Sequence, residues 1–176
     1  MPPLLETERL RLRVATMDDL ECVYQLGTNP NVMRYINGGQ APLWADVQSD
    51  LLRRVGTEPE PLGYWITEEK ESGDFVGWMT LKPLVHTKDV EIGYRFREEQ
   101  WGKGFATEGG KRILTYAFQE LELHRVLAVA MEENLASIRV MQKLGMKYLH
   151  RGRYYGRTCV CYATTRKVFL NKMKLF

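Results

Sequence analysis

Charged and apolar residues alternate from Glu8 to Val14, with Leu10, Leu12 and Val14 on one side, so this stretch is expected to be a half-buried strand. Thr16 then supplies a cap for a helix reaching Gly27, whose apolar side is Leu20, Val23, Tyr24 and Leu26. Asn29-Pro30 ends it. A second helix is expected from Leu43 to Val55, and a loop from Thr57 to Gly63, where two prolines and a glycine gather. Tyr64–Thr67 has the β-branched and aromatic content of a strand. Ser72-Gly73-Asp74 has turn chemistry, and Phe75–Leu81 is the expected return strand. Asp89–Phe96 follows as a further strand, so the pattern up to here is antiparallel.

After residue 100 the periodicity changes. Ala106, Ile113, Leu114, Ala117, Phe118 and Leu121 recur at three and four, which predicts a helix opening near Gly102 and Gly104. Arg125–Ala130 is a nearly continuous apolar run, as in a strand covered on both faces. Asn134 and Gly145 have the chemistry of a helix start and stop. Two last strands, Lys147–Tyr154 and Thr158–Val168, form a hairpin across Gly156. This order predicts a mixed α/β (α+β) fold. Its central sheet is largely antiparallel, with about seven strands flanked by about four helices, and a single βαβ crossover lies in the second half.

Composition narrows the class. At 176 residues the chain fits one domain, taken as 1–176, with a core large enough to fold without staples. The net charge of +3 is too small to argue for nucleic acid or a membrane, although a mild positive excess suits an anionic ligand. Cys22, Cys159 and Cys161 form no C-x-x-C and no metal spacing with histidine, so no metal site is expected. Cys159 and Cys161 would share one strand face as core thiols. His86, His124 and His150 show no ligand spacing either. No apolar run of about 18 residues appears, and the expectation is a cytoplasmic protein, monomeric or homodimeric.

The segment with the clearest chemistry is Gln100-Trp101-Gly102-Lys103-Gly104-Phe105-Ala106-Thr107, between a strand and a helix. Glycines there let the backbone approach a ligand, and the unpaired N–H groups of the first helical turn favour phosphate. Turn formation alone is the other reading of such glycines. A dinucleotide fingerprint from Gly102 would need glycine at Thr107, and a P-loop from Gly104 would need lysine at Gly110. Both fail.

Glu91-Ile92-Gly93-Tyr94-Arg95-Phe96, Trp101 to Glu108, Asn134-Leu135-Ala136-Ser137 and Lys143-Leu144-Gly145-Met146 together resemble the GCN5-related N-acetyltransferases. The opening Leu5 to Arg13 is similar to the branch named for ribosomal-protein alanine and serine N-acetyltransferases. The likeness covers nearly the whole chain. One departure is Trp101, where the family signature has Gln or Arg. The resemblance implies acetyl transfer from acetyl-coenzyme A to a primary amine, a protein α-amine or a small molecule. It also implies that Tyr94, Arg95 and Phe96 pair with the pantetheine, that Trp101, Gly102, Lys103, Gly104, Phe105, Ala106 and Thr107 surround the diphosphate, and that Asn134 reaches the pantetheine arm. Asn134 as a plain helix cap is an equal reading.

Glu91 matches a family carboxylate and is the candidate general base, with a solvated strand residue as the alternative. Met141 stands where many relatives have a tyrosine that protonates the thiolate. Ser137 is therefore the candidate sulfur donor, with Tyr154 and Tyr155 as substitutes. Arg139 and Lys143 fit either a 3′-phosphate or a solvated helix face. Tyr35, Trp44, Tyr64, Trp65 and Trp78 are core, or in part an acceptor groove. Two alternatives remain at this level: a coenzyme A sensor without turnover, and a nucleotide-binding enzyme resting on Gly102 and Gly104 alone.

Overall fold

A computed structural model describes residues 2–56 and 62–173. The part of the expected loop at 57–61 lies outside the described residues. The hydrogen-bonded order of the eight strands is β1-β2-β3-β4-β5-β6-β8-β7. The chain forms two compact units, Met1–Thr80 with Tyr94–Gly109, and Leu81–Gly93 with Gly110–Phe176.

In the first unit, β1 (Leu5–Glu6) and β2 (Leu10–Val14) are antiparallel, with Leu5 opposite Leu12. The expected strand from Glu8 is thus cut at a turn, closed by the Thr7 amide on the Leu10 carbonyl at 2.9 Å. Leu10 and Leu12 are fully buried while Arg11 is exposed, as the alternation predicts. β2 pairs with β3 (Gly63–Glu69), Leu10 opposite Glu69 and Val14 opposite Trp65.

A short 3₁₀ turn, Met17–Asp19, leads into α1 (Leu20–Thr28). Asp19 is buried and takes two bonds from the Arg13 guanidinium, at 2.6 and 2.9 Å. Burial would raise the Asp19 carboxyl, but Arg13 and Thr16 outweigh it and hold it below the usual carboxylate range.

Asn29-Pro30 ends α1 and also starts α2 (Pro30–Met33), which the sequence pattern did not predict. The Asn29 Oδ1 accepts from the Asn31 and Val32 amides, and proline suits the first helical position. α3 (Trp44–Gly56) matches the expected second helix. Leu51 joins Ala15, Leu20 and Ile66 in a core cluster, against which Tyr64 and Trp78 pack.

β4 (Phe75–Pro83) and β5 (Val90–Phe96) each contribute to both units. At Gly77 the backbone has φ of 149°, and an added Cβ would sit 2.8 Å from Phe96 Cα and nearer still to the Arg95 carbonyl. Gly77→Ala is expected to destabilise the protein by at least about 2 kcal/mol, because backbone on both sides must shift. A urea melt of the variant checks it.

The second unit holds the crossover. β5 is parallel to β6 (Arg125–Met131), and α4 (Phe105–Thr115) lies between them in the chain, ending in a π-turn at Tyr116–Glu120. The ladder pairs Val90 with Val126 and Glu91 with Leu127; among the described residues neither strand carries it further. α5 (Leu135–Lys143) follows, then β7 (Lys147–Tyr154) antiparallel to β8 (Arg157–Thr165), which is antiparallel to β6. Leu127, Cys159 and Cys161 are core here, as expected for those thiols.

The last predicted strand, to Val168, is corrected: β8 stops at Thr165 and α6 (Arg166–Met173) begins. The helix wins because it turns Phe169 onto Phe118, ring centres 5.3 Å apart, and buries it. No helix among the described residues is long and apolar enough to cross a membrane.

Candidate active site

The glycine segment is built from main chain in the first unit. A 3₁₀ turn at Glu98–Gln100 follows β5, and the Trp101 amide closes it on the Glu98 carbonyl at 3.0 Å. The Trp101 indole N–H donates to the Phe96 carbonyl at 2.9 Å, which leaves the half-exposed ring anchored beside the loop. Gly102 and Gly104 take φ of 76° and 85°, the left-handed region that side chains disfavour.

The first bonds of α4 come from the Thr107 and Glu108 amides to the Gly104 carbonyl, at 3.1 and 3.0 Å. The Phe105 and Ala106 N–H groups therefore precede the first helical bond, at the positive end of the helix dipole. Phe105 is buried and fixes this turn to the core, while Gly102, Lys103 and Gly104 are exposed. The Lys103 ammonium donates to the Gln100 side chain at 2.7 Å.

A clamp that no sequence spacing revealed holds this loop. Arg9 donates through Nε to Glu108 at 2.7 Å and through Nη1 to the Lys103 carbonyl at 3.0 Å. Its guanidinium also lies 4.7 Å from the centre of the Phe105 ring. The Thr7 hydroxyl and the Arg9 amide both donate to Glu108 Oε1, at 2.6 and 2.9 Å. Burial would raise the Glu108 carboxyl, but these bonds outweigh it and hold it low, so it stays ionised.

The second unit carries the candidate acid–base group. Glu91 is 4% exposed, which removes the solvated reading of that residue. The Tyr155 hydroxyl donates to Glu91 Oε1, and the Lys82 ammonium lies 3.3 Å from the same oxygen. Lys82 also sits 4.8 Å from the Tyr155 ring centre. Tyr155 and Gly156 have φ of 50° and 74°, as a tight two-residue hairpin turn requires. Burial, then the bond to Glu91, pushes the Tyr155 phenol up, so it remains a donor. Of the two substitute tyrosines, Tyr155 is thus the one at the carboxylate; the Tyr154 hydroxyl is 2.8 Å from His150 Nε2.

Asn134 caps α5, its Oδ1 accepting from the Ser137 amide at 3.2 Å. Ser137 is half-buried. Met141 is buried, and Arg139 and Lys143 are exposed on α5. Of the five aromatic candidates, Trp65 is fully buried and Trp44 is exposed, with Tyr24 against it at 4.9 Å. Among the described residues no His, Cys, Asp and Glu group has the arrangement to hold a metal.

Residues 9–147 match the family model described as an acetyltransferase (GNAT) domain. The protein YkkB of Bacillus subtilis is 32% identical over 90% of this chain and 93% of its own length. The FsC-acetyl coenzyme A-N(2)-transacetylase of Aspergillus fumigatus is 31% identical over 84% of this chain and 66% of its own. A GNAT-family acetyltransferase from Bacillus anthracis superposes with a TM-score of 0.81 at 25% identity, covering 94% of this chain and 99% of that one. The chain belongs to the GNAT acetyltransferase family, and it is an N-acetyltransferase.

Proposed function

We propose that this enzyme, as one domain over 1–176, moves the acetyl group of acetyl-coenzyme A to a primary amine by direct attack, with Glu91 as general base. The observation that carries the reading is the pair of left-handed glycines opening α4, whose free amides suit a diphosphate. The amides from Gly102 to Thr107 hold that diphosphate, with Trp101 as the anchored wall, Lys103 as added charge and Phe105 and Ala106 as the first helical donors. The β5–β6 ladder pairs Val90 and Glu91, and further along β5 the main chain of Tyr94, Arg95 and Phe96 takes the pantetheine amides as an added strand.

An ammonium has no lone pair. Glu91 takes a proton from it, and the freed nitrogen attacks the thioester carbonyl. The C–N bond forms, the C–S bond breaks, and the nitrogen loses its second proton as the thiolate gains one. Asn134 caps α5 through its side-chain oxygen and reaches the pantetheine arm with its side-chain N–H, while the Ser137 hydroxyl in the first turn of α5 stabilises the departing sulfur. Tyr155 and Lys82, both at Glu91 Oε1, hold its carboxyl group in place.

An acceptor screen tests this: acetyl-coenzyme A is mixed with peptides bearing free α-amines, amino acids, polyamines and aminoglycosides, and products are read by mass. A product heavier by one acetyl group, with matching release of free thiol, is expected. No product together with no heat on injecting acetyl-coenzyme A overturns the reading.

A further inference from the structure

Among the described residues, four buried side-chain atoms have no hydrogen-bond partner: the hydroxyls of Thr67, Thr80 and Thr164, and Nε of Arg95. Arg95 is the charged one. The other half-buried arginines of its unit have counter-ions: Arg13 has Asp19 and Glu68, and Arg54 has Asp50. No described carboxylate pairs with Arg95. Its guanidinium lies instead 4.9 Å from the centre of the Trp78 ring, and Trp78 packs on Tyr64 at 5.3 Å. The Arg54 guanidinium lies 4.5 Å from the centre of the Tyr64 ring. A cation–π contact offsets only part of what a guanidinium loses on leaving water, and burial does pull the Arg95 pKa down. A charge left in this state lacks a partner that something else must supply.

We propose that the acceptor amine carries a carboxylate, and that this carboxylate pairs with Arg95 beside Trp78 and Tyr64. Arg95 as a whole is only half-buried, and a carboxylate suits the position because the two Nη groups of a guanidinium form a planar fork that two carboxylate oxygens can accept together. The flanking rings pack on the plane of that pair. Polyamines and aminoglycosides, as polycations, are disfavoured here by Arg95 and Arg54 alike. The inference rests on the transfer reaction proposed above and narrows its acceptor. Arg95 is then an acceptor-binding residue through its side chain, while its main chain serves the cofactor strand.

The test uses the whole chain saturated with acetyl-coenzyme A. One arm offers amino carboxylates of increasing length, each with its amide; the other offers peptides with aspartate or glutamate near a free α-amine, each with its asparagine or glutamine counterpart. In the wild type, kcat/KM for the carboxylate is expected to exceed that for its amide by at least about tenfold in one arm, which also tells a small acceptor from a peptide. Arg95→Met should bring that ratio close to one, mainly through KM, without lowering the melting temperature, since no internal ion pair is broken. Arg95→Lys, which keeps the charge but not the fork, should fall between. Equal turnover of carboxylates and amides, a preference for polyamines, no turnover of any carboxylate-bearing amine, or a ratio that survives both variants overturns the proposal. Amines acetylated without carboxylate preference leave the transfer reaction standing; no acetylation and no heat from acetyl-coenzyme A remove both.

Discussion

Gly104→Asp is expected to weaken acetyl-coenzyme A binding by about 100-fold or more, roughly the worth of two charge-assisted hydrogen bonds. Two effects act together. Gly104 holds φ of 85°, where an L side chain costs about 1–2 kcal/mol, so the loop is driven from the conformation that exposes its amides. The new carboxylate also stands at the positive end of α4, where a phosphate is to bind. An added Cβ meets nothing closer than Arg9 Nη2 at 3.5 Å, so the variant should fold. Calorimetric titration gives the affinity. Gly104→Ala, which strains the backbone without adding charge, should lose less. An unchanged dissociation constant in folded Gly104→Asp would place the diphosphate elsewhere.

Glu91→Gln is expected to lower kcat by about 100-fold or more near pH 7, the scale of general-base catalysis. The deficit should shrink towards pH 9, because an α-amine with a pKa of about 8 is then mostly neutral without help. A loss independent of pH would assign Glu91 a structural role. Tyr155→Phe removes the donor to Glu91 and should cost about tenfold in kcat near pH 7. Because Tyr155 is proposed to act through Glu91, the double variant should be little slower than Glu91→Gln alone. Losses that multiply would show Tyr155 acting on its own, as a donor to the sulfur for instance.

Features governed by neighbouring residues were legible in the sequence. Leu10 and Leu12 alternate with arginines and are buried as strands require. Asn134 and Gly145 bound α5 through capping chemistry that operates within a turn or two. Gly102 and Gly104 open α4 as the sequence pattern indicated, because the left-handed backbone and the first helical turn are local properties. The misses have equally physical causes. Thr165, Val168 and the residues between them favour a strand weakly, and the burial of Phe169 on Phe118 decided for a helix. Asn29-Pro30 is both a stop and a start, and only the stop was read.

What the chain determines by itself is the order of its elements and the chemistry of the loop at the mouth of α4, since both rest on periodicity and on glycine. Tertiary structure alone decided that Arg9 and Thr7 clamp Glu108 across about a hundred residues of chain, that Tyr155 and Lys82 meet on a buried Glu91, and that Arg95 lies against the Trp78 ring with no ion pair to a described carboxylate. Electrostatic and hydrogen-bond partners are set by distance in space and by exclusion of water, and neither quantity is written in the spacing of residues along a chain.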